Sequence, residues 1–422
     1  MTTVDDQASD VQQRGDQVLA ELFFTPEGIA DPARHYHRLR DIAPVHRSGT
    51  GTVFLTRFED CNEVLRDNRL GNGDSDAGLG LPSADPATDE FRRDQRRRMG
   101  DQPASLLMLD PPDHTRQRRL VSRAFTPRRV EQMRATIADL AHRFVDDLAD
   151  AGEGDVLDLV GFPFPVSVIG ALVGVPEGDW PQFRSLITRS AVGIEPTASI
   201  DDLRDGELAN TETWDYFVNL VAERRAAPQD DLLSDLLRVE EAGDQLTEAE
   251  VIVVAILIFA AGFETTTNLI GNGTGALLRN PDEMRRLWDD TSLLPTAVEE
   301  MLRWDSPVQF DVRRALRPAE VARQPVDEGT AIVTLLGAAN RDPGHFGDPD
   351  RFDVGRDEGP PMSFASGIHY CLGANLARAE GQEVFRAMVE RFRSIELTGD
   401  LVQRPRTILR GYEAVPVRVT NR

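Results

Sequence analysis

Lysine is absent from this chain: all 47 basic residues are arginine. Set against 71 acidic residues, they leave a net charge of −24 at pH 7 over 422 residues. That balance argues against nucleic acid as a partner, because a phosphate backbone demands a basic footprint. Cysteine is nearly absent as well, with Cys61 and Cys371 alone. Two thiols build no disulfide framework and suit a reducing compartment. The first twenty residues are polar and acidic and contain no signal-peptide core. The longest apolar run, Val251 to Ala261, is well short of the roughly 20 residues that span a bilayer. These absences predict a cytoplasmic protein with no membrane span, a disordered tail over residues 1–20 and one folded unit over residues 21–422.

What the chain does contain is helix. Most of 113–320 carries helical periodicity, broken at Pro163, Pro165, Pro176 and Pro281. Short strand-like pieces fall at 53–56, 310–316, 320–335 and 402–419, without the alternating rhythm of a doubly wound sheet. The expected class is mainly α with a minor β region. Gly271-Asn272-Gly273-Thr274-Gly275 follows a helical pattern rather than a strand, so it fails the context test for a phosphate loop. From Gly71 to Met108 the pattern dissolves into Gly, Asp, Ser, Pro and Arg, which predicts a long functional or disordered loop. Arginines cluster at 92–98 and again at 116–129.

The most informative segment is Phe364-Ala365-Ser366-Gly367-Ile368-His369-Tyr370-Cys371-Leu372-Gly373. A free cysteine is most often a small buried apolar residue, and Cys61, in the amphipathic stretch 57–65, reads that way. Cys371 differs, because glycines flank it and let backbone N–H groups approach its sulfur. A thiolate so held can ligate a haem iron and favour O–O cleavage. The decapeptide resembles the haem-binding loop of the cytochrome P-450 family of haem-thiolate monooxygenases. It departs at Ala365, where that family usually has Gly or Ser.

Four further segments resemble the family in its usual order. Thr247-Glu248-Ala249-Glu250 is a capping box that opens a helix running to Asn280-Pro281. At its centre Ala261-Gly262-Phe263-Glu264-Thr265-Thr266 puts an acid and a hydroxyl in apolar surroundings, where they are costly unless used or satisfied. Gly262 removes a side chain that would block a close approach. By resemblance, this is the oxygen-activating helix: Thr265 would support oxygen activation and Glu264 would relay protons from solvent. Ala261 and Gly262 would lie over the cofactor.

Asp110-Pro111-Pro112-Asp113-His114-Thr115-Arg116-Gln117-Arg118 places His114 and Arg118 four apart on one helix face, a spacing suited to a carboxylate ligand. The resemblance assigns them to a haem propionate, with His369 and with Arg313 of Asp311-Val312-Arg313-Arg314-Ala315. Spacing alone leaves Arg313 and Arg314 open. Phe364 and Gly373 would pack around the haem. Glu300-Met301-Leu302-Arg303 resembles the E-x-x-R motif, and Asp348-Pro349-Asp350-Arg351-Phe352 the segment that completes its buried triad. Glu300, Arg303 and Arg351 are therefore expected to be structural.

The resemblance implies a single large triangular domain binding haem b (iron protoporphyrin IX), with Cys371 as the iron ligand. It implies a monooxygenase that inserts one oxygen atom of dioxygen into a lipophilic small molecule by hydroxylation or epoxidation. Electrons would come from a ferredoxin and ferredoxin reductase, docking near Arg116 and Arg119, on a monomer. Two other readings are a hydrogen-peroxide-dependent peroxygenase and a haem sensor without turnover. Apolar Leu106, Leu107, Phe183, Val308 and Phe310 are expected to wall the substrate pocket.

Overall fold

The helices that position the site are α1 (Val4–Phe24), α2 (Pro86–Arg98), α3 (Asp113–Ala124), α4 (Arg134–Ala151), α5 (Pro163–Val173), α6 (Trp180–Val192), α7 (Ile200–Ala226), α8 (Glu248–Arg279), α9 (Leu294–Trp304) and α10 (Ala374–Arg391). The strands are β1 (Val45–Arg47), β2 (Val53–Leu55), β3 (Leu70–Gly71), β4 (Asp311–Ala315) and β5 (Ala331–Thr334), in the sheet order β1-β2-β5-β4-β3. The computed structural model describes residues 4–73, 86–98, 102–241 and 243–422.

The capping box does start α8: Thr247 Oγ1 accepts from the Glu250 N–H, and the Glu250 carboxylate accepts from the Thr247 N–H. The helix then runs for 32 residues, about 48 Å at 1.5 Å per residue. It packs against α5, α7, α9 and α10. By length and composition the whole of it could cross a bilayer, more than its eleven-residue apolar run suggested. Helices on several sides make it the core of this fold instead. Its glycines serve that packing: a Cβ at Gly273 would strike Met301 and Phe385, and one at Gly275 would strike Tyr412.

Two expectations are corrected here. Residues 4–24, expected to be mostly disordered, form α1. Its Val18, Leu19, Leu22 and Phe23 are buried, and the Phe23 ring stands edge-on to Phe310 at 5.5 Å. The polar residues ahead of that stripe masked a helical spacing. The 71–108 region is not loop throughout, because it holds α2. Residues 74–85 and 99–101 of it lie outside the described part.

Candidate functional site

The Cys371 loop leads from the core into α10, and its backbone is shaped around the sulfur. The Cys371 N–H donates to Phe364 O at 3.0 Å. Gly367 has φ +70°, and a Cβ there would lie 2.0 Å from Leu65 O, so only glycine fits. Burial pushes the Cys371 thiol pKa up, while the Gly373 N–H, the charges of Arg118 and Arg378 and the Ala374 N–H act against it. Phe364 is buried, with the Arg378 guanidinium 4.5 Å from its ring centroid. Ala365 adopts φ +57° with ψ −156°, a conformation that glycine takes freely and alanine does not.

Beside this loop, four donors from three chain segments converge. His114 and His369 rings lie 4.2 Å apart, and Arg118 Nη2 donates to Tyr370 O at 2.5 Å. Arg313 is buried, whereas Arg314 bonds Gly329 O at an exposed position. Strand alternation on β4 thus decides between the two arginines. Burial, followed by the charges of Arg313, His114 and Arg118, pushes the His369 pKa down to about 3. Burial and then Arg118 push His114 down as well. Among the described residues, His114 Nε2 and Arg313 Nη2 are buried without a hydrogen-bond partner. A cluster that suppresses its own histidine protonation and leaves buried donors unmatched is built to receive an anion.

On α8 the middle of a core helix is open. Ala261 is exposed and Leu257 and Thr265 are partly so, four residues apart, while Phe259 and Phe263 are fully buried. Thr265 Oγ1 donates to Ala261 O at 2.6 Å, one turn back along the helix. Gly262 turns elsewhere: a Cβ there would come within 3.0 Å of Ile169 on α5. On that side it is a helix-packing residue. Glu264 is 2% exposed, and its Oε1 accepts from Arg404 at 2.6 Å and from Arg406 at 3.0 Å. The acid is thus held by two cations from the C-terminal segment, a partner set its own motif does not contain. A second acid, Glu380 on α10, is buried with Thr266 Oγ1 donating to it at 3.2 Å. Burial holds its pKa well above the usual carboxylate range, the Thr266 hydroxyl acting against.

The triad is corrected at one position. Glu300 accepts from Arg303 Nε at 2.6 Å and Nη2 at 2.9 Å, with both side chains buried. The third arginine is Arg356, whose Nε stands 3.2 Å from Glu300 Oε2. Arg351 offers only its carbonyl to Arg303 and Arg356, and its side chain is 60% exposed. The turn after Phe352 sends the next arginine, not the preceding one, back toward Glu300.

A polar clasp that no motif announced joins the α6–α7 turn to the C-terminal segment. Glu195, in the turn between α6 and α7, is 1% exposed. Its carboxylate accepts from Thr407 N (2.8 Å), Thr407 Oγ1, Ile408 N and Leu409 N (each 3.0 Å). Arg92 of α2 donates to Glu195 O at 2.7 Å. Three distant segments therefore meet at one turn. Phe183, expected in the pocket wall, is instead buried among Tyr216, Phe217 and Phe259. Phe310 packs on Phe23, and Leu107 is exposed. Arg116 is tied to Asp244 at 2.9 Å and to Glu250 at 2.6 Å, so it braces the start of α8.

The chain matches known proteins along nearly its whole length. The family model described as Cytochrome P450 matches residues 204–407. Cytochrome P450 107B1 of Saccharopolyspora erythraea is 39% identical, covering 94% of this chain and 97% of its own. The 6-deoxyerythronolide B hydroxylase of the same organism is 36% identical, covering 92% and 95%. The crystal structure of the myxobacterial CYP267B1 in complex with myristic acid superposes with a TM-score of 0.84 at 36% identity, covering 95% and 98%. The chain belongs to the cytochrome P450 family. Its members are haem-iron oxidoreductases, and this chain's fold is the family's single, mainly helical domain. The residues present fit such a group: a half-buried thiol for the iron, and unmatched His114 and Arg313 donors with Arg118 and His369 for two carboxylates.

Proposed function

We propose that this enzyme uses dioxygen to hydroxylate or epoxidise a lipophilic small molecule, in the cytoplasm and as a monomer. One oxygen atom enters the product and the other leaves as water, on consumption of two electrons and two protons. Haem b, when bound, supplies the iron at which dioxygen is reduced. Cys371 would be its ligand, and His114, Arg118, Arg313 and His369 would neutralise its propionates. Ala261 and Thr265 would form the wall above it, with Phe364 and Gly373 packing below. The Thr265 hydroxyl, now given to Ala261 O, is the group that would donate toward the reacting oxygen, and Glu264 would return its proton from solvent. Glu300, Arg303 and Arg356 would hold the loop that presents Cys371.

The observation that carries this reading is the pairing of the unmatched cationic cluster with the open acid–alcohol stripe. A peroxide-driven enzyme or a sensor has no need of a proton relay. The electron donor would be an acidic ferredoxin served by its reductase. The exposed Arg119 and Arg123, four apart on α3, would supply its docking face. Relatives named for polyketide biosynthesis and for 6-deoxyerythronolide B hydroxylation support a bulky apolar substrate.

The test is a Soret titration of the ferric protein against macrolides, steroids, terpenoids and fatty acids, followed by turnover under labelled dioxygen with a surrogate ferredoxin and reductase. The expected result is a saturable low-to-high spin shift with one member, and one labelled oxygen atom in its product. Label-free product, with oxygen drawn from peroxide or water, would overturn the reading.

A further inference from the structure

Along α8 the polar residues do not stop at Glu264. Asn268 and Asn272 follow at intervals of four, and each is 1% exposed. Positions four apart lie above one another on a helix, so the three form one line about 12 Å long. The C-terminal segment covers this line. Arg404 and Arg406 bind Glu264 at one end, and a Cβ at Gly411 would stand 2.1 Å from Asn268 Oδ1 midway. At the other end Asn272 Nδ2 donates to Asp305 O at 3.0 Å and to Arg410 O at 3.1 Å.

Four polar atoms on this line have no hydrogen-bond partner among the described residues: Glu264 Oε2, Asn268 Oδ1 and Nδ2, and Asn272 Oδ1. Leaving a buried amide or carboxylate oxygen unmatched is costly, more so where it is charged. One such atom is an irregularity; four in a row on one helix face form a pattern. Buried polar atoms of this kind are ordinarily met by internal water, each molecule making about three bonds. The Asn272 end reaches Asp305, which is partly exposed and pairs with Arg410, so the line leads outward.

We infer that Asn268 and Asn272 hold a file of internal water that carries protons from the Asp305–Arg410 end to Glu264. This rests on the relay role given to Glu264 above. Asn268 is then a positioning residue: its amide donates to one water and accepts from the next, keeping the file continuous. Asn272, anchored through its amide nitrogen, presents an oriented acceptor at the entrance. The proton that reaches Glu264 Oε2 is replaced along the file from solvent, and no other group changes charge.

The first test does not depend on turnover. A crystal structure of the holoenzyme should show ordered water within hydrogen-bond reach of Glu264 Oε2, Asn268 and Asn272 Oδ1, and Asn268→Leu should lose the central molecule. A dry wild-type line, with the Asn268 amide bonded to protein, would overturn the inference. The second test is kinetic, with the substrate found by Soret titration. Asn268→Leu should lower dioxygen-driven turnover by about tenfold or more and raise its solvent isotope effect, while peroxide-driven turnover stays unchanged. Asn268→Ser, which keeps a donor and an acceptor, should restore most of the loss. Equal loss in both modes would mark Asn268 as merely structural and refute the file. Glu264→Gln separates the two claims. If it slows dioxygen-driven turnover while Asn268→Leu does not, the file fails and the relay stands; if Glu264→Gln has no effect, the relay itself fails.

Discussion

Replacing Arg356 should destabilise the protein far more than replacing Arg351, although the sequence motif points to Arg351. The Glu300 side chain is fully buried, bound by Arg303 at 2.6 and 2.9 Å and by the Asp353 N–H at 2.8 Å, with Arg356 Nε at 3.2 Å. Arg356 also donates to Gly347 O at 2.6 Å, to Arg351 O at 3.0 Å and to Asp348 O at 3.1 Å. Losing one partner of a buried pair costs about 3–5 kcal/mol. Arg303 remains on Glu300 in Arg356→Leu, so the lower end, about 3 kcal/mol, applies. The Arg351 side chain is 60% exposed and 3.8 Å from Asp353, a pair worth at most about 1 kcal/mol. Urea unfolding of the two variants, read by far-ultraviolet circular dichroism, should separate them by about 2 kcal/mol. The melting points should differ in the same sense by a few degrees, given an unfolding entropy of about 2 cal/mol/K per residue. Arg356→Leu should also retain less haem on gel filtration. An Arg351→Leu variant that loses as much stability as Arg356→Leu would refute the assignment.

Three further outcomes are expected. Glu380 binds a proton in the fold that the unfolded chain releases above about pH 4.3, so wild-type stability falls as pH rises, by up to about 1.4 kcal/mol per unit. Glu380→Gln removes that dependence and should gain on wild type as pH rises above about 5; parallel stability curves would contradict a raised Glu380 pKa. Ala365→Gly releases about 1–3 kcal/mol of backbone strain against about 0.4–1 kcal/mol of added unfolded-state entropy. It should raise the midpoint of unfolding, and a lowered midpoint would show that the alanine conformation is not strained. Thr265→Ala should keep its helix but divert electrons from product to hydrogen peroxide, measured as product and peroxide per NADH; unchanged coupling would remove Thr265 from the reaction.

How much was legible depended on whether a function sits in neighbouring residues. The Cys371 loop, the Thr247 capping box and the Glu300–Arg303 pair are local, and each was readable because its partners lie within one turn or loop. Arg313 needed only strand alternation to be told from Arg314. Where partners come from far along the chain, spacing carries nothing. Arg404 and Arg406 reach Glu264 across about 140 residues of sequence, and Glu195 meets Thr407 across 212. Arg356 was missed for a different reason: the segment contains two arginines five apart, and a turn decides which one faces inward. The helix over residues 4–24 was hidden because a short apolar stripe follows a long polar stretch.

The measurement that bears most directly on the central claim is the visible spectrum of the reduced, carbon-monoxide-bound protein, for wild type and Cys371→Ser. Thiolate ligation by Cys371 predicts the strongly red-shifted Soret band of a haem-thiolate protein in the wild type. It also predicts that this band is lost in Cys371→Ser while haem remains bound through His114, Arg118, Arg313 and His369. The same red-shifted band in both proteins, or its absence from wild type reconstituted with haem, would contradict the account.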